Sequence, residues 1–280
     1  MIRLFASDLD GTLLNGKHES DDVIESCLQK VVMNGGVFTV ATGRSIEMIH
    51  LGKADDQIYV ICMNGAVIFD PNRQIILQEE IDKESLGNLL KQFPDLYLEC
   101  ISPQKTFLRQ DKESYMKTLL DPETVSNRPK NWAKRFRDRA EHHISFSCTD
   151  EEILSYPICK VNCMIRNPEV TKAVNEYLDA YRSKLVNAPS FPGGIEITKA
   201  GVNKGSSILW LADKLGIQKD EVAVYGDGGN DLEMLKMFTH SYAPNTASEA
   251  AIKNASHVIG PYQEYSVVKH IEHTIDTERS

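Results

Sequence analysis

The chain has 280 residues, of which 41% are hydrophobic and 25% are charged, and this composition argues against disorder. Acidic residues number 40 and basic residues 31, so the formal net charge is −9. This balance excludes a general affinity for nucleic acid or anionic lipid, because both require a surplus of Lys and Arg. No apolar run approaches the ~18 residues that span a bilayer, and the N-terminal residues lack a signal-peptide pattern. We therefore expect a cytoplasmic protein with no membrane partner.

The cysteines and histidines are scattered along the chain and include no CxxC pair. Zinc sites need closely spaced thiolate or imidazole ligands, so the pattern does not indicate one. We expect free, buried thiols in a reducing compartment.

The first part of the chain alternates short apolar runs with a helical pattern. Apolar runs at 2–7, 37–41 and 58–62 are typical of buried parallel strands. Apolar residues at helical spacing over 21–34 predict a helix that ends at Gly35. The alternation of strand and helix is typical of a doubly wound parallel sheet.

The same alternation returns at the other end of the chain. A strand is predicted at 222–225 and another at 241–243, and helices are predicted at 204–215, 230–237 and 247–253. Together the two ends predict an α/β fold with a doubly wound parallel-sheet, Rossmann-like core.

The middle of the chain has a different pattern. It contains predicted strands at 97–101, 142–148 and 158–164, a helix over 168–182 capped by Asn167, and a basic, loop-like run over 128–139. We interpret 83–190 as an inserted α+β cap domain. The core would then be formed by 1–82 and 191–280.

Polar residues follow the ends of the predicted parallel strands, where open α/β sheets bind ligands. They are Asp8 and Asp10, Thr42, Asn64 and the run 226–231. Clustered carboxylates raise one another's pKa unless a cation neutralises them. An all-oxygen site with open positions suits Mg²⁺, and a hydroxyl with a Lys complements a phosphoryl group. The pattern therefore predicts a site for a phosphate dianion and Mg²⁺.

Four motifs of the chain, in order, resemble those of the haloacid dehalogenase superfamily of phosphotransferases. They are Asp8-Leu9-Asp10-Gly11-Thr12-Leu13, Thr42, Lys204 and Gly226-Asp227-Gly228-Gly229-Asn230-Asp231. Asn64-Gly65-Ala66, the run 201–205 and the position of the insert resemble the Cof-type branch. One departure is Pro244 before Asn245, where the family commonly has a Gly-Asn-Ala turn; proline removes a backbone N–H there.

The resemblance implies a role for each motif residue. Asp8 would be the nucleophile and Asp10 the general acid and base. Mg²⁺ would be held by the Asp8 side chain, the Asp10 main-chain carbonyl and Asp227, with Asp231 orienting the metal's surroundings. The phosphoryl oxygens would be bound by Leu9, Thr42, Gly43, Lys204 and Asn230. Arg44, Lys199 and Asn203 stay open between a functional and a structural role, and for each we favour the structural interpretation.

These features predict a Mg²⁺-dependent phosphomonoesterase that acts on small phosphorylated metabolites through an aspartyl-phosphate. The partner would be a small phosphate ester of a sugar, nucleotide or vitamin, and the sequence indicates no oligomeric state. A phosphomutase or phosphotransferase of the same superfamily is an alternative, because the phosphoryl group could pass to a hydroxyl other than water. A phospho-aspartate signalling switch is another, and it would differ in keeping its acyl-phosphate.

Overall fold

The computed structural model describes residues 1–120, 132–190 and 193–278 of the chain. These divide into two compact units, one formed by Met1–Glu79 with Gly201–Ser280 and the other by Glu80–Ala200. We call the first the core unit and the second the insert. In the described residues no helix is long and apolar enough to cross a membrane.

The strands are numbered in chain order. They are β1 Leu4–Ser7, β2 Val37–Ala41, β3 Tyr59–Cys62, β4 Val67–Phe69, β5 Ile75–Gln78, β6 Glu99–Ile101, β7 Thr106–Phe107, β8 Ile144–Ser145, β9 Lys160–Met164, β10 Leu185–Asn187, β11 Gly194–Lys199, β12 Val222–Tyr225, β13 His240–Pro244 and β14 His257–Ile259.

The α-helices are numbered in the same way. They are α1 Asp22–Met33, α2 Lys83–Gln92, α3 Lys112–Leu119, α4 Trp132–His142, α5 Asp150–Ser155, α6 Pro168–Ala180, α7 Lys204–Lys214, α8 Leu232–Met237, α9 Glu249–Asn254 and α10 Ser266–Glu278.

The core unit contains one sheet, in the order β14-β13-β12-β1-β2-β3-β4-β5. Strands from β14 to β3 run parallel, so their carboxyl ends lie at one edge, and β1 pairs with both β2 and β12. This confirms the doubly wound parallel sheet. The antiparallel β3-β4-β5 extension was not predicted.

Buried apolar side chains hold the helices of the core unit against this sheet. Ile208 of α7, Met234 of α8 and Ala251 of α9 form one cluster with Leu4 and other sheet residues. Helices α1 and α10 contact each other, and Lys30 Nζ donates to Asp276 Oδ2 at 3.0 Å. These contacts hold α7, α8 and α9 against the sheet and join α1 to α10.

The insert is an α+β unit, as predicted, with its own sheet in the order β10-β11-β9-β6-β7-β8. Its strands pair antiparallel except for the parallel pair β7 and β8. Helices α2, α5 and α6 cover an apolar cluster that includes Leu89, Ile153 and Val174. Asn167 caps α6 as predicted, since its side chain accepts from the amides of Glu169 and Val170.

Two predictions about the insert differ from the structure. The boundary predicted at 190 lies ten residues before Ala200, where the compact unit ends, because β11 pairs with β9 and β10 of the insert. The run 128–139 was predicted to be loop-like, but its described part belongs to α4. Arg, Lys and Ala are good helix formers, and a basic last turn suits the helix dipole. Positions 128–131 lie outside the described residues.

Candidate active site

The turn after β1 places the first carboxylate of the site. Asp8 directly follows the strand, and its carbonyl accepts from the amide of Leu13 at 3.3 Å, which closes a tight turn. Gly11 in this turn has φ +81°, a backbone conformation that favours glycine. A Cβ at Gly11 would lie 2.6 Å from Asp227 Oδ2, so the missing side chain lets Asp227 approach the turn.

A buried lysine lies between two of the carboxylates. Lys204, the first residue of α7, has no exposed surface, and its Nζ lies 2.6 Å from Asp8 Oδ1 and 2.6 Å from Asp231 Oδ1. Burial alone would lower the pKa of Lys204, but the charges of Asp231 and Asp8 outweigh it and raise the pKa. The lysine therefore stays charged across the physiological range.

The loop after β12 holds the other two carboxylates. Asp231 Oδ2 accepts from the amides of Asp227 at 2.9 Å and Gly228 at 2.8 Å. Asp227 Oδ1 accepts from Thr12 Oγ1 at 2.6 Å, and the Asp227 carbonyl accepts from the Ser248 hydroxyl at 2.9 Å. Asp231 is thus held by its own loop, whereas Asp227 is joined to the turn after β1.

The donor set fits a hard divalent cation. Asp8, Asp227 and Asp231 can offer carboxylate oxygens that all lie within 4.8 Å of one another. Burial raises the pKa of Asp8 against the opposing charge of Lys204, and burial with the charge of Asp231 raises the pKa of Asp227 to about 6. Three carboxylates beside one lysine carry surplus negative charge, and oxygen ligands are those that Mg²⁺ prefers.

The predicted phosphate-binding residues lie in the loops that surround these carboxylates. Thr42 is buried directly after β2, with Gly43 beside it, and its amide donates to the carbonyl of Ile61 at 2.9 Å. Asn230 is buried, and its Nδ2 donates to Asn64 Oδ1 at 3.0 Å. Leu9 is buried directly after Asp8.

Asp10 has partners that were not predicted from the sequence. Its carboxylate accepts from Arg44 Nε at 2.8 Å and Arg44 Nη2 at 2.5 Å, and His18 Nδ1 lies 3.5 Å away. Burial would raise the pKa of Asp10, but the hydrogen bond from His18 and the charge and hydrogen bonds of Arg44 hold it below its usual range. The carboxyl is therefore paired with Arg44 and ionised.

The structural interpretation of Arg44 is therefore incomplete, because this residue binds a predicted catalytic side chain. Its position directly after Thr42-Gly43, at a strand end near a carboxylate cluster, was the available signal. The structural interpretation of Asn203 is confirmed, since its side chain caps α7 by accepting from the Ser206 amide at 2.9 Å. Lys199 ends β11 of the insert.

Pro244 is accommodated at the end of a strand. It is the last residue of β13, and its carbonyl accepts from the Ala247 amide at 2.9 Å. The Asn245 amide donates to Ile259 at 3.0 Å, so the backbone of this turn is bonded without a proline N–H.

The model of the haloacid dehalogenase-like hydrolase family matches residues 5–271 of the chain. The chain is 26% identical to the phosphatase YwpJ of Bacillus subtilis, covering 98% of this chain and all of that protein. It is 23% identical to the 5-amino-6-(5-phospho-D-ribitylamino)uracil phosphatase YbjI of Escherichia coli, covering 99% of this chain and 97% of that protein. The solved structure of SMU.1108c from Streptococcus mutans has the same fold, with a TM-score of 0.81, 21% identity, and coverage of 99% and 100% of the two chains. The resemblance found in the sequence motifs is thus confirmed: the chain belongs to the haloacid dehalogenase-like hydrolases and is an enzyme.

Proposed function

We propose that the chain is a Mg²⁺-dependent phosphomonoesterase that hydrolyses small phosphorylated metabolites, with Asp8 phosphorylated in each turnover. The observation that carries this proposal is the buried cluster in which Lys204 bridges Asp8 and Asp231 beside Asp227. One divalent cation would offset the surplus negative charge of the three carboxylates over Lys204, so that a phosphate dianion could bind beside the lysine and Asp8 could attack phosphorus.

Each residue of the site would have a separate role in the two chemical steps. Asp8 would attack phosphorus and release the ester oxygen, which takes a proton from Asp10; Asp10 would then accept a proton from the water that attacks the aspartyl-phosphate. Lys204, Thr42, Gly43, Asn230 and the Leu9 amide would bind the phosphoryl oxygens, where negative charge develops. For the first of these steps Asp10 must be protonated, so its pair with Arg44 belongs to a different step or loosens when substrate binds.

Asp8, the Asp10 main-chain carbonyl and Asp227 would hold Mg²⁺. When bound, this ion would neutralise the carboxylates and polarise the phosphoryl group. Asp231 fits better as a positioning residue than as a ligand, because its oxygens already accept from Lys204 and from two backbone amides.

Relatives of this chain indicate the substrate class. Besides the ribitylaminouracil phosphatase, an HMP-PP phosphatase of Enterobacter is 26% identical over 99% of this chain. We propose a small phosphorylated metabolite of this kind, and the cytoplasmic location stays a prediction. Hydrolysis is favoured over transfer to a second hydroxyl because the related proteins named above are phosphatases.

A panel of phosphate esters, assayed for released phosphate with and without metal, tests the proposal. We expect EDTA to abolish turnover and Mg²⁺ to restore it, since the carboxylates would otherwise repel the phosphate. Asp227→Ala should raise the Mg²⁺ concentration for half-maximal activity by about tenfold or more. Asp220→Ala, in the same unit before β12, is the matched control and should leave this concentration unchanged. Full activity in the presence of the chelator would refute the metal-dependent mechanism.

A further inference from the structure

The turn that follows β3 has an unusual backbone. Met63, Asn64 and Gly65 have φ values of +54°, +57° and +107°, and no other three successive residues in the described ranges share this conformation. Residues other than glycine rarely adopt positive φ. Such a conformation persists where the surrounding structure imposes it, and it is often found at functional sites.

The backbone of this turn is bonded to two loops of the candidate site. The amides of Met63 and Asn64 donate to the carbonyls of Arg44 and Thr42, both at 3.0 Å. On the other side, the Gly65 carbonyl accepts from Ser207 Oγ of α7 at 2.7 Å. The turn therefore connects the loop that carries Thr42 with the helix that begins at Lys204.

The side chain of Asn64 reaches a third loop of the site. Asn64 is 1% exposed, and its Oδ1 accepts from Nδ2 of Asn230, which is 8% exposed. An amide nitrogen carries two hydrogens, so the bond to Asn64 fixes the direction in which Asn230 presents the second. The left-handed backbone at Asn64 and the direction of the Asn230 amide are thus part of one arrangement.

We propose that Asn64 is a positioning residue of the phosphoryl site, which acts through Asn230 and through the backbone of Thr42. Asn64 would not contact the phosphoryl group itself. Its side chain would orient the Asn230 amide toward the phosphoryl oxygens, and its backbone would fix the position of the Thr42 loop relative to Asn230. The inference rests on the proposed phosphatase function. It gives a role to Asn64-Gly65, a motif to which the family resemblance assigned none.

Binding of inorganic phosphate in the presence of Mg²⁺, measured by calorimetry and as competitive inhibition, tests this inference. Asn64→Gly removes the carboxamide and keeps a residue that tolerates the backbone. We expect Asn64→Gly and Asn230→Ala each to weaken phosphate binding by about tenfold, and the double variant to be no weaker than the poorer single one. KM should rise in both single variants more than kcat falls.

Ser147→Gly is the matched control, because Ser147 also has a positive φ, of +56°, but lies in the insert. It should bind phosphate as the unchanged chain does. Asn64→Ser, which also cannot reach Asn230, replaces Asn64→Gly if circular dichroism shows that the glycine variant is unfolded.

Two results would overturn the inference while leaving the proposed function in place. One is unchanged phosphate binding in Asn64→Gly when Asn230→Ala is weakened; the other is a double variant whose loss equals the product of the two single losses. If the unchanged chain neither binds phosphate nor hydrolyses any ester, the proposed function itself fails, and the role of Asn64 fails with it.

Discussion

At the residue scale, Gly11 shows how closely the two main loops of the site approach each other. Its φ of +81° and the 2.6 Å between its ideal Cβ and Asp227 Oδ2 both exclude a side chain. Gly35 offers a comparison, because it has a similar φ of +71° but no atom within 4 Å of its ideal Cβ. Comparing the same substitution at the two glycines therefore separates the loss of stability caused by the backbone conformation from the effect of displacing Asp227.

We expect Gly35→Ala to lower the free energy of unfolding by about 1 kcal/mol, because alanine is strained at positive φ, and Gly11→Ala to lower it further, because its Cβ also meets Asp227. Only Gly11→Ala should also raise the Mg²⁺ concentration for half-maximal activity, by about tenfold, because it displaces Asp227. Denaturant unfolding and Mg²⁺ titration of phosphate release measure the two effects. An equal Mg²⁺ requirement in both variants would show that Asp227 does not depend on the turn after β1.

The carboxylate cluster was predictable from the sequence because parallel strands end at one edge of the sheet. Asp8, Lys204, Asp227 and Asp231 follow strands or begin helices, and topology alone brings them together. The pairing of Arg44 with Asp10 was not predictable, because it depends on which rotamer a long side chain adopts after the loop has formed. Their hydrogen bonds are set by tertiary geometry rather than by spacing in the chain.

At the scale of elements, α10 contacts the strand that leads into the site. His270 Nδ1 lies 2.9 Å from the hydroxyl of Tyr225, the last residue of β12, and the His270 ring centroid is 4.0 Å from that of Tyr242. Burial lowers the pKa of His270 to about 4, and the charges of His273 and His257 add to the effect.

This pKa predicts an acid-dependent loss of stability. Between the usual histidine pKa near 6.5 and about 4, the unfolded chain binds a proton that the folded chain excludes. The contribution of neutral, buried His270 to the free energy of unfolding is therefore fully present above pH ~6.5. It is lost as the pH falls toward ~4, by up to about 3 kcal/mol. His270→Gln, which stays neutral, should lose less stability between pH 7 and 4.5 in urea unfolding. His50→Gln, at an exposed position, is the control; if His270→Gln matches it, burial of His270 does not govern this pH dependence.

The sequence predicted strands with continuous apolar runs better than the elements at the margins of the core unit. Val37–Ala41 and Val222–Tyr225 have the predicted bounds because both strands are buried. The β4-β5 hairpin and α10 were not predicted. β5 is an edge strand with partly exposed residues, and α10 is stabilised by contacts with distant parts of the chain such as α1 and Tyr225. An amphipathic pattern in the sequence does not show which distant residues a helix will contact.

At the scale of the whole molecule, every described residue of the candidate site belongs to the core unit. The chain enters the insert after Glu79 and returns at Gly201, so only two crossings join the units. Each unit has its own sheet and its own apolar cluster. We therefore predict that the core unit performs the chemical step and that the insert decides which ester is hydrolysed.

Replacement of 80–200 by a short Gly/Ser linker tests this division. We expect the shortened chain to fold by circular dichroism and to hydrolyse a small activated aryl phosphate, because the site residues are retained. The ratio of kcat/KM for the best metabolite ester to kcat/KM for the aryl phosphate should fall, because contacts to the part of the ester remote from phosphorus would be lost. A folded, Mg²⁺-binding core that hydrolyses neither ester would show that the insert supplies part of the catalytic machinery.

The central claim is that Asp8 is the nucleophile, and trapping its phosphorylated form tests this most directly. In Asp10→Asn the aspartyl-phosphate should form from an activated ester but hydrolyse slowly, because no carboxylate activates water. After acid quenching, peptide mass spectrometry should find one phosphoryl group on Asp8 in this variant. It should find none in the Asp8→Asn and Asp10→Asn double variant. A phosphoryl group on another residue, or turnover by Asp8→Asn within tenfold of the unchanged chain, would contradict the account.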